Sequence, residues 1–287
     1  MNNIKYFLQF IFIIFLFSIF KLLGLKYSTI LSAHLMNLIG FIFKSKKVCN
    51  YNLSIVYPNM KDSEKKELLK KMWFNYGRIL AEYMFIKDFR KKPKISQKVS
   101  IENQEELEKI KKNLKPVIFI SGHFNNFELM AMHIEKSGID LAAVYRPLNN
   151  KFLNPIMEKI REKYICKNQI KKGKSGTKEL LKHFKNGGSI ALMIDQRVSE
   201  GISCNLFNHK ALTTTIPAQF VKKFDAQVVP IYIERLKNNN FQLKIFEPLS
   251  FKKDENIENI TVKLNKILEK MIIANPEQWI WTHNRWK

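Results

Sequence analysis

The chain has 287 residues, enough for one large domain or two small ones. Hydrophobic residues make up 46% and charged residues 26%, ordinary globular proportions that argue against wholesale disorder and against a protein with many membrane spans. The 49 Lys and Arg against 25 Asp and Glu give a net charge of +24, which favours anionic partners such as phospholipid headgroups, phosphorylated substrates, acidic proteins or nucleic acid.

An apolar segment runs without a charge from Tyr6 to Phe20. As a helix it would be roughly 22 Å long, and extension to Leu25, with Lys21 snorkelling toward a headgroup, brings it close to the roughly 30 Å hydrocarbon core of a bilayer. A second apolar stretch covers 35–43. We predict a membrane anchor that spans the bilayer or lies at its surface. A cleaved signal peptide and a buried helix are the alternatives, but no small-residue cleavage site follows and the segment is unusually apolar for a core helix.

Positive charges lie mostly after this segment. Only Lys5 and the terminal amine precede it, whereas five lysines follow it: Lys21, Lys26, Lys44, Lys46 and Lys47. The positive-inside rule then predicts that the body of the protein is cytoplasmic. We therefore predict an N-terminal anchor and interfacial segment over 1–47 and a single further domain over 48–287.

The rest of the chain alternates between helical and strand patterns. Apolar spacing predicts helices over 63–86, 104–113, 127–137, 151–165, 176–186, 214–224 and 256–274. Short apolar runs predict strands over 117–121, 141–145, 189–194, 227–233 and 241–246. This alternation predicts an α/β fold with a mixed, largely parallel sheet flanked by helices, whose reactive groups would lie at the carboxyl ends of the strands.

The first of these strands leads into GHFNNFE at 122–128. On a continuous helix His123 and Glu128 would diverge by about 140°. They meet only if His123 lies on the turn and Glu128 in the first turn of the helix, with Asn125 or Asn126 as the cap. There the positive helix end would keep the imidazole neutral, and the carboxylate would fix its tautomer, as a general base requires. A structural hydrogen bond is the alternative interpretation.

Further polar residues end neighbouring strands. Arg146 follows the second predicted strand directly, Arg161 lies in the next helix, and Asp195-Gln196 follow the third strand. Together with His123 they would form a site for an anionic substrate at one edge of the sheet. For any single Arg, the alternative is a solvated surface charge.

Other kinds of site are not indicated by the sequence. Cys49, Cys166 and Cys204 fit neither a disulfide framework nor a zinc spacing, and there is no HExxH motif, so we predict no metal. Serine-elbow, phosphate-loop and dinucleotide-binding motifs are missing as well, and we expect no cofactor. The apolar N-terminus and the lack of a recognition motif argue against nucleic acid as a partner.

The chain closes on PEQWIWTHNRWK at 276–287, which alone would be a core-packing tail or an interfacial aromatic belt. With the segments before it, the chain resembles the lipid A biosynthesis acyltransferases, the lauroyl/myristoyl late acyltransferase family of Gram-negative bacteria, over essentially its whole length. The features that carry the resemblance are the anchor, Asn52-Leu53, Tyr57-Pro58, Gly77-Arg78 with Glu82, GHFNNFE, YRPLNN at 145–150, Arg161, Asp195-Gln196, TTTIPA at 213–218 and the terminal segment. The chain departs from the family pattern at 125–127, at 206–208 and at Ile216.

The resemblance implies a glycerolipid acyltransferase-like fold. It also implies transfer of a fatty acyl chain from acyl carrier protein to a hydroxyl of a lipid A precursor, a step of lipopolysaccharide biosynthesis at the cytoplasmic side of the bacterial inner membrane. His123 would deprotonate that hydroxyl, Glu128 would orient the imidazole, and no acyl-enzyme would form. Inner-membrane lipids would surround the anchor.

The remaining candidates would bind substrate: Arg146, Arg161, Asp195 and Gln196. Arg161 is a candidate donor to the oxyanion, and Asp195 would anchor Arg161 or order the pocket. Two alternatives stay open. One is the same reaction on another membrane lipid, such as an ornithine lipid, a glycerol phosphate or a glycolipid. The other is a membrane-tethered scaffold without activity.

Overall fold

The computed structural model describes residues 2–43 and 45–287, so Met1 and Lys44, which carry two of the charges used to orient the anchor, lie outside the described residues. The helices are α1 (Asn2–Phe43), α2 (Lys46–Val56), α3 (Asp62–Glu82), α4 (Ile86–Lys91), α5 (Pro93–Ser96), α6 (Gln104–Asn113), α7 (Glu128–Lys136), α8 (Asn154–Tyr164), α9 (Lys174–Lys185), α10 (Ile216–Phe224) and α11 (Ile257–Ala274). The strands are β1 (Val99–Glu102), β2 (Ile118–Ser121), β3 (Leu141–Tyr145), β4 (Asn168–Lys171), β5 (Ser189–Met193), β6 (Ile202–Leu206), β7 (His209–Thr213), β8 (Val228–Arg235) and β9 (Phe241–Ile245).

Seven strands form one sheet in the order β1-β9-β8-β2-β5-β3-β4. All neighbours in it are parallel except β8 and β9, while β6 and β7 form a separate antiparallel hairpin. The predicted mixed, largely parallel sheet is therefore confirmed, and the predicted strands and helices recur with similar bounds. Strands β1 and β4 and the β6–β7 hairpin were not predicted from the sequence. VSIE and NQIK lie at the two sheet edges, where a strand is buried on fewer sides and needs no continuous apolar run.

The centre of the sheet brings two chain segments side by side. All four residues of β2 are buried, and β2 pairs in parallel with β5 in a register that sets Ser121 opposite Met193. Because parallel neighbours end at the same edge of a sheet, the residue two places beyond each of these lies beside its counterpart. Those residues are His123 and Asp195.

The long helix α1 is interrupted at Gly24, whose φ of 72° and ψ of 169° are not helical. The stretch before the break would extend for about 33 Å, enough to cross a bilayer. Among the described residues, this is the one helix long and apolar enough to do so, with a mean hydropathy of 2.4 over the best window and only 11% of that window buried. A core helix would be mostly buried, so α1 is a candidate membrane anchor.

Both halves of α1 contact the rest of the chain. After the break, α1 packs closely on α3, where a Cβ atom on Gly77 would lie 2.3 Å from the carbonyl oxygen of Ser32. Before it, the backbone oxygen of Tyr6 accepts from Asn150 at 2.8 Å. Lys21, expected to snorkel, instead lies 3.0 Å from the carboxylate of Asp88.

Candidate active site

The imidazole of His123 pairs with the carboxylate of Asp195 at the edge of the sheet. His123 Nδ1 lies 2.8 Å from Asp195 Oδ1. Asp195 Oδ2 accepts from the backbone N–H of His123 at 2.8 Å and from the indole N–H of Trp279 at 2.9 Å. Three donors thus satisfy a carboxylate that is only 1% exposed, which is what a buried anion requires.

This pairing corrects the expectation that Glu128 orients His123. Glu128 does begin the helix after the turn, but its Oε1 accepts from Arg161 Nε at 2.8 Å and Nη2 at 2.7 Å, and from the Tyr83 hydroxyl at 2.9 Å. The chain between His123 and Glu128 passes through Asn125 in the left-handed region, with φ of 44°. The parallel register of β2 and β5 meanwhile places Asp195 directly on the imidazole.

Of the two roles expected of Asp195, anchoring Arg161 is corrected, as is the capping role of the asparagines, while ordering of the pocket stays a prediction. Arg161 is anchored by Glu128 and not by Asp195. Neither asparagine caps α7 with its side chain: Asn125 Nδ2 donates to the carbonyl of Ile233 at 2.9 Å, and Asn126 Nδ2 donates to Glu82 at 3.2 Å. Both amides instead tie the turn to elements behind it.

Burial and pairing act against each other in the dyad. Burial favours the neutral imidazole, but the charge and hydrogen bond of Asp195 outweigh it and raise the pKa of His123 above its usual value. Burial likewise opposes ionisation of Asp195, yet the imidazole, the backbone N–H and the Trp279 indole hold its pKa at about 2. The sequence had suggested that the positive helix end keeps the imidazole of His123 neutral. The raised pKa of His123 is opposite to that expectation.

In the neutral form of His123, beside the ionised Asp195, Nδ1 carries the hydrogen and Nε2 the free lone pair. No described residue hydrogen-bonds to Nε2, and the His123 side chain, 23% exposed, lines a cavity. The imidazole is thus oriented to take a proton from a group in that cavity, and the carboxylate behind it stabilises the cation that forms.

The cavity has a volume of about 480 Å³ and mostly apolar walls. Its apolar lining comes from α1, α3 and the segment around α8: Ile13, Phe17, Met36, Met72, Tyr76, Ile79, Leu80, Leu153 and Met157. Its polar groups gather around His123 and include Glu128, Arg161, Gln196 and His283. An apolar pocket with a base and a guanidinium at one end suits a substrate with a long hydrocarbon chain and one reactive polar group.

Arg161 lines the same cavity as His123, with its charge held in place by Glu128. Burial lowers the pKa of its guanidinium, but Glu128 and the Tyr83 hydroxyl outweigh this and raise it. Burial and, after it, Glu128 raise the pKa of Tyr83 well above its usual value, so its hydroxyl stays a donor. Tyr83 lies in the helix predicted over 63–86, and nothing in its spacing marked it for the site.

Gln196 and Arg146, the other predicted residues, have different positions. Gln196 lines the cavity, whereas Arg146 is exposed and outside the lining. The reason is the strand order: β3 lies beyond β5, one strand farther from β2. Arg146 therefore follows a strand that lies one place farther from His123 than the strand that precedes Asp195.

The terminal segment is a core-packing tail and not an interfacial belt. Trp279 is 2% exposed and Trp281 fully buried, and their rings pack edge to face with centroids 4.8 Å apart. Asn52 Nδ2 fastens the segment by donating to the carbonyls of Trp281 at 2.9 Å and His283 at 2.7 Å. Trp279 was missed as a site residue. The available signal was that a buried Trp N–H needs an acceptor and that the terminal segment itself contains few acceptors.

Comparison with known proteins identifies the family of this chain. The family described as bacterial lipid A biosynthesis acyltransferase matches residues 1–287. The lipid A biosynthesis lauroyltransferase of Escherichia coli (strain K12) is 24% identical over 257 residues, covering 86% of this chain and 80% of the relative. The palmitoleoyltransferase of the same strain is 22% identical over 255 residues, with coverage of 86% and 80%. Its myristoyltransferase is 22% identical over 240 residues, with coverage of 83% and 73%.

The family match extends over the entire chain and so includes the strand ends, the cavity helices and the tail that build the site. The protein is therefore an acyltransferase and belongs to the bacterial lipid A biosynthesis acyltransferases.

Proposed function

We propose that this protein moves a fatty acyl chain from acyl carrier protein to a hydroxyl of a lipid A precursor, with His123 as the general base and without an acyl-enzyme. The observation that carries the proposal is the His123–Asp195 dyad, whose free Nε2 lies at the polar end of an apolar cavity. The described residues that line this cavity include neither Ser nor Cys, which fits direct attack by the acceptor hydroxyl.

The chemistry is a single acyl transfer. As the acceptor oxygen bonds to the thioester carbonyl carbon, its proton passes to His123 Nε2. When the tetrahedral intermediate collapses, the C–S bond breaks and the imidazolium returns the proton to the leaving sulfur. Asp195 favours the cationic state between the two steps, in line with the raised pKa of His123.

Arg161 is our candidate for stabilising the oxyanion. Its Nε and Nη2 are engaged by Glu128, which fixes the plane of the guanidinium, and Nη1 has no partner among the described residues. In this proposal Glu128 acts through Arg161 and not through His123. The catalytic dyad is therefore His123 and Asp195, and Glu128 of the GHFNNFE segment positions Arg161.

The net charge supports the proposed acyl donor, and helix α1 supports the proposed location at the membrane. A net charge of +24 suits an acidic carrier protein and an anionic acceptor. We place residues 1–47 as the anchor in the bacterial inner membrane and 48–287 on the cytoplasmic side, because Lys21 and most of the other lysines near α1 follow its first apolar stretch. Ile13 and Phe17 of α1 line the cavity, so an acyl chain would reach the site from the lipid phase.

Mass spectrometry of a membrane assay tests the proposal. Membranes with the wild-type protein receive acyl carrier protein loaded with mixed chain lengths and a sugar-bearing, tetra-acylated lipid A precursor. We expect the mass of one acyl chain to be added, and its size identifies the chain. His123→Ala should abolish the product, while His209→Ala, the same change on the exposed hairpin, should not.

Two results would count against it. Product formed by folded His123→Ala protein rejects the base. Transfer to an ornithine lipid, a glycerol phosphate or another glycolipid, with none to the lipid A precursor, replaces the acceptor and leaves the chemistry intact.

A further inference from the structure

A second cavity, of about 820 Å³, opens beside the reaction cavity between α3, the turn after β8 and the segment before Trp279. Asn75 and Gln278 line both cavities, so the two are neighbours that share a wall. We call the second one the cationic groove. Its charged lining consists of Lys70, Lys71, Arg78, Arg235 and Lys237 against Glu67 and Glu277.

Only one of the five cations in the cationic groove is neutralised. Arg235 binds Glu82 with both terminal nitrogens, and its Nε donates to Asn75 at 2.8 Å. The other four form no ion pair with a described residue, and neither does Glu67 or Glu277. Positive charge therefore remains in excess, next to the site of reaction.

Arg78 is the most unusual of the four. Its guanidinium makes no hydrogen bond with any described residue, and its Nε is buried without an acceptor. Burial lowers the pKa of Arg78, and the neighbouring Arg235 lowers it further. A half-buried guanidinium whose Nε has no acceptor, beside a second guanidinium, is costly unless an anion completes the arrangement. Glu82, already shared with Arg235 and Asn126, is the nearby carboxylate and does not bond to Arg78.

We propose that the cationic groove is a subsite for a phosphate ester of one of the two substrates. A phosphate offers several oxygens and up to two negative charges, so it can accept from the planar fork of Arg78 and still meet Lys70, Lys71 or Lys237. This assignment rests on the proposed acyl transfer. The phosphate could belong to the headgroup of the acceptor lipid or to the phosphodiester of the carrier protein's prosthetic arm.

The surroundings of the groove fit a ligand that sits at a membrane surface. Phe74, in its lining, packs against His34 of α1 with ring centroids 4.7 Å apart. Gly77, next to Arg78, is the point where α3 touches the backbone of α1. The groove thus lies where the candidate membrane helix meets the body of the protein, and a lipid whose chain enters the reaction cavity would have its polar part here.

Binding is tested first without any turnover. Thermal unfolding of the full-length, detergent-solubilised protein is followed with rising inorganic phosphate, against sodium chloride of equal ionic strength. Phosphate should raise the melting temperature of wild type and of Lys66→Gln, an exposed cation of α3 outside the groove. The rise in melting temperature should be lost in Arg78→Gln and reduced in Lys237→Gln. Because Lys237 is exposed, its replacement should leave the fold intact, so a reduced rise there reports weaker phosphate binding. Equal rises in all four proteins would overturn the subsite, whether or not acyl transfer is observed.

Kinetics then identify the source of the phosphate. The acceptor is offered with and without its phosphates, and the donor as acyl carrier protein or as an acyl-pantetheine thioester that lacks phosphate. We expect wild type and Lys66→Gln to prefer the phosphorylated acceptor by about tenfold in KM, and Arg78→Gln to lose this preference. Loss of the donor preference instead assigns the groove to the prosthetic arm. If Arg78→Gln keeps both preferences, the groove binds no substrate phosphate.

Discussion

The indole N–H of Trp279 lies 2.9 Å from Asp195 Oδ2, so a residue near the end of the chain holds the carboxylate that orients His123. The terminal segment reaches this position because Phe124 forms a β-bridge with Trp279 and Asn52 binds the carbonyls behind it. Trp279 is accordingly a positioning residue that acts through Asp195.

Removal of this indole donor should weaken catalysis without emptying the core. We expect Trp279→Phe to lower kcat about tenfold, since a hydrogen bond to a carboxylate is lost and the imidazolium is less well stabilised. Trp281→Phe, which loses a donor to the carbonyl of Pro276 only, is the matched control. Steady-state kinetics check both. Equal losses in the two variants would mean that Trp279 serves packing alone.

The two carboxylates of the site should respond differently to neutral replacements. Asp195→Asn should lower kcat by about 10³-fold to 10⁴-fold, as in other sites where the orienting carboxylate of a histidine is replaced. Because Asp195 raises the pKa of His123, its loss also moves the acidic limb of the kcat/KM profile to lower pH.

Glu128→Gln is the comparison. It should lower kcat through Arg161 while the acidic limb moves far less, since Glu128 adds only a minor charge effect at His123. The measurement is the full pH dependence of both variants. A larger limb shift for Glu128→Gln than for Asp195→Asn would restore the sequence-based pairing of His123 with Glu128.

Acid should destabilise the protein partly through His133. This histidine of α7 is 7% exposed, and burial, with Lys136 and Arg90 adding to it, lowers its pKa to about 4. The unfolded chain binds the proton near pH 6.5, so the stabilising effect of the neutral ring is complete above that pH and is lost as the pH falls toward 4. The loss is on the order of 3 kcal/mol.

We therefore expect His133→Gln to flatten the fall in melting temperature between pH 6.5 and 4, relative to wild type. His209→Gln, on the exposed hairpin, should follow the wild-type curve. Parallel curves for wild type and His133→Gln would show that the titration of His133 does not contribute.

The contact between α1 and α3 should not tolerate a methyl group. A Cβ on Gly77 would lie 2.3 Å from the carbonyl oxygen of Ser32 and 2.7 Å from Cα of Ala33, both backbone atoms that cannot turn away. Ala gains about 1 kcal/mol over Gly in helix propensity, but overpacking costs typically 1–3 kcal/mol and the contact here is backbone to backbone. Gly77→Ala should therefore lower the melting temperature in detergent, whereas Lys66→Ala on the same helix should not. A higher melting temperature for Gly77→Ala would contradict this packing.

The sequence predicted the class of fold and the edge at which the site lies, because apolar runs and helical spacing are local signals. The order of the strands across the sheet is not local. Because β5 is the neighbour of β2, Asp195 adjoins His123, whereas Arg146 follows a strand one place farther away. Glu128 was found by its spacing in the motif, but its partner depends on where α8 brings Arg161. The edge strands β1 and β4 were not predicted because each has four residues and is buried by neighbouring elements, which leaves no recognisable apolar pattern in the sequence.

Because α1 is interrupted at Gly24, two separately oriented parts of this helix line the reaction cavity. Ile13 and Phe17 reach it from before the break and Met36 from after it, where α1 is fixed on α3. Before the break Phe20 is the one buried side chain among the described residues, whereas Ser28, Thr29, Ser32 and Ala33 are buried after it. The thickness of the surrounding bilayer would therefore bias the tilt of the first part. We expect the selectivity for acyl chain length to be a joint property of the protein and its membrane. Vesicles of short-chain and long-chain phospholipids should then yield different product ratios from the same enzyme.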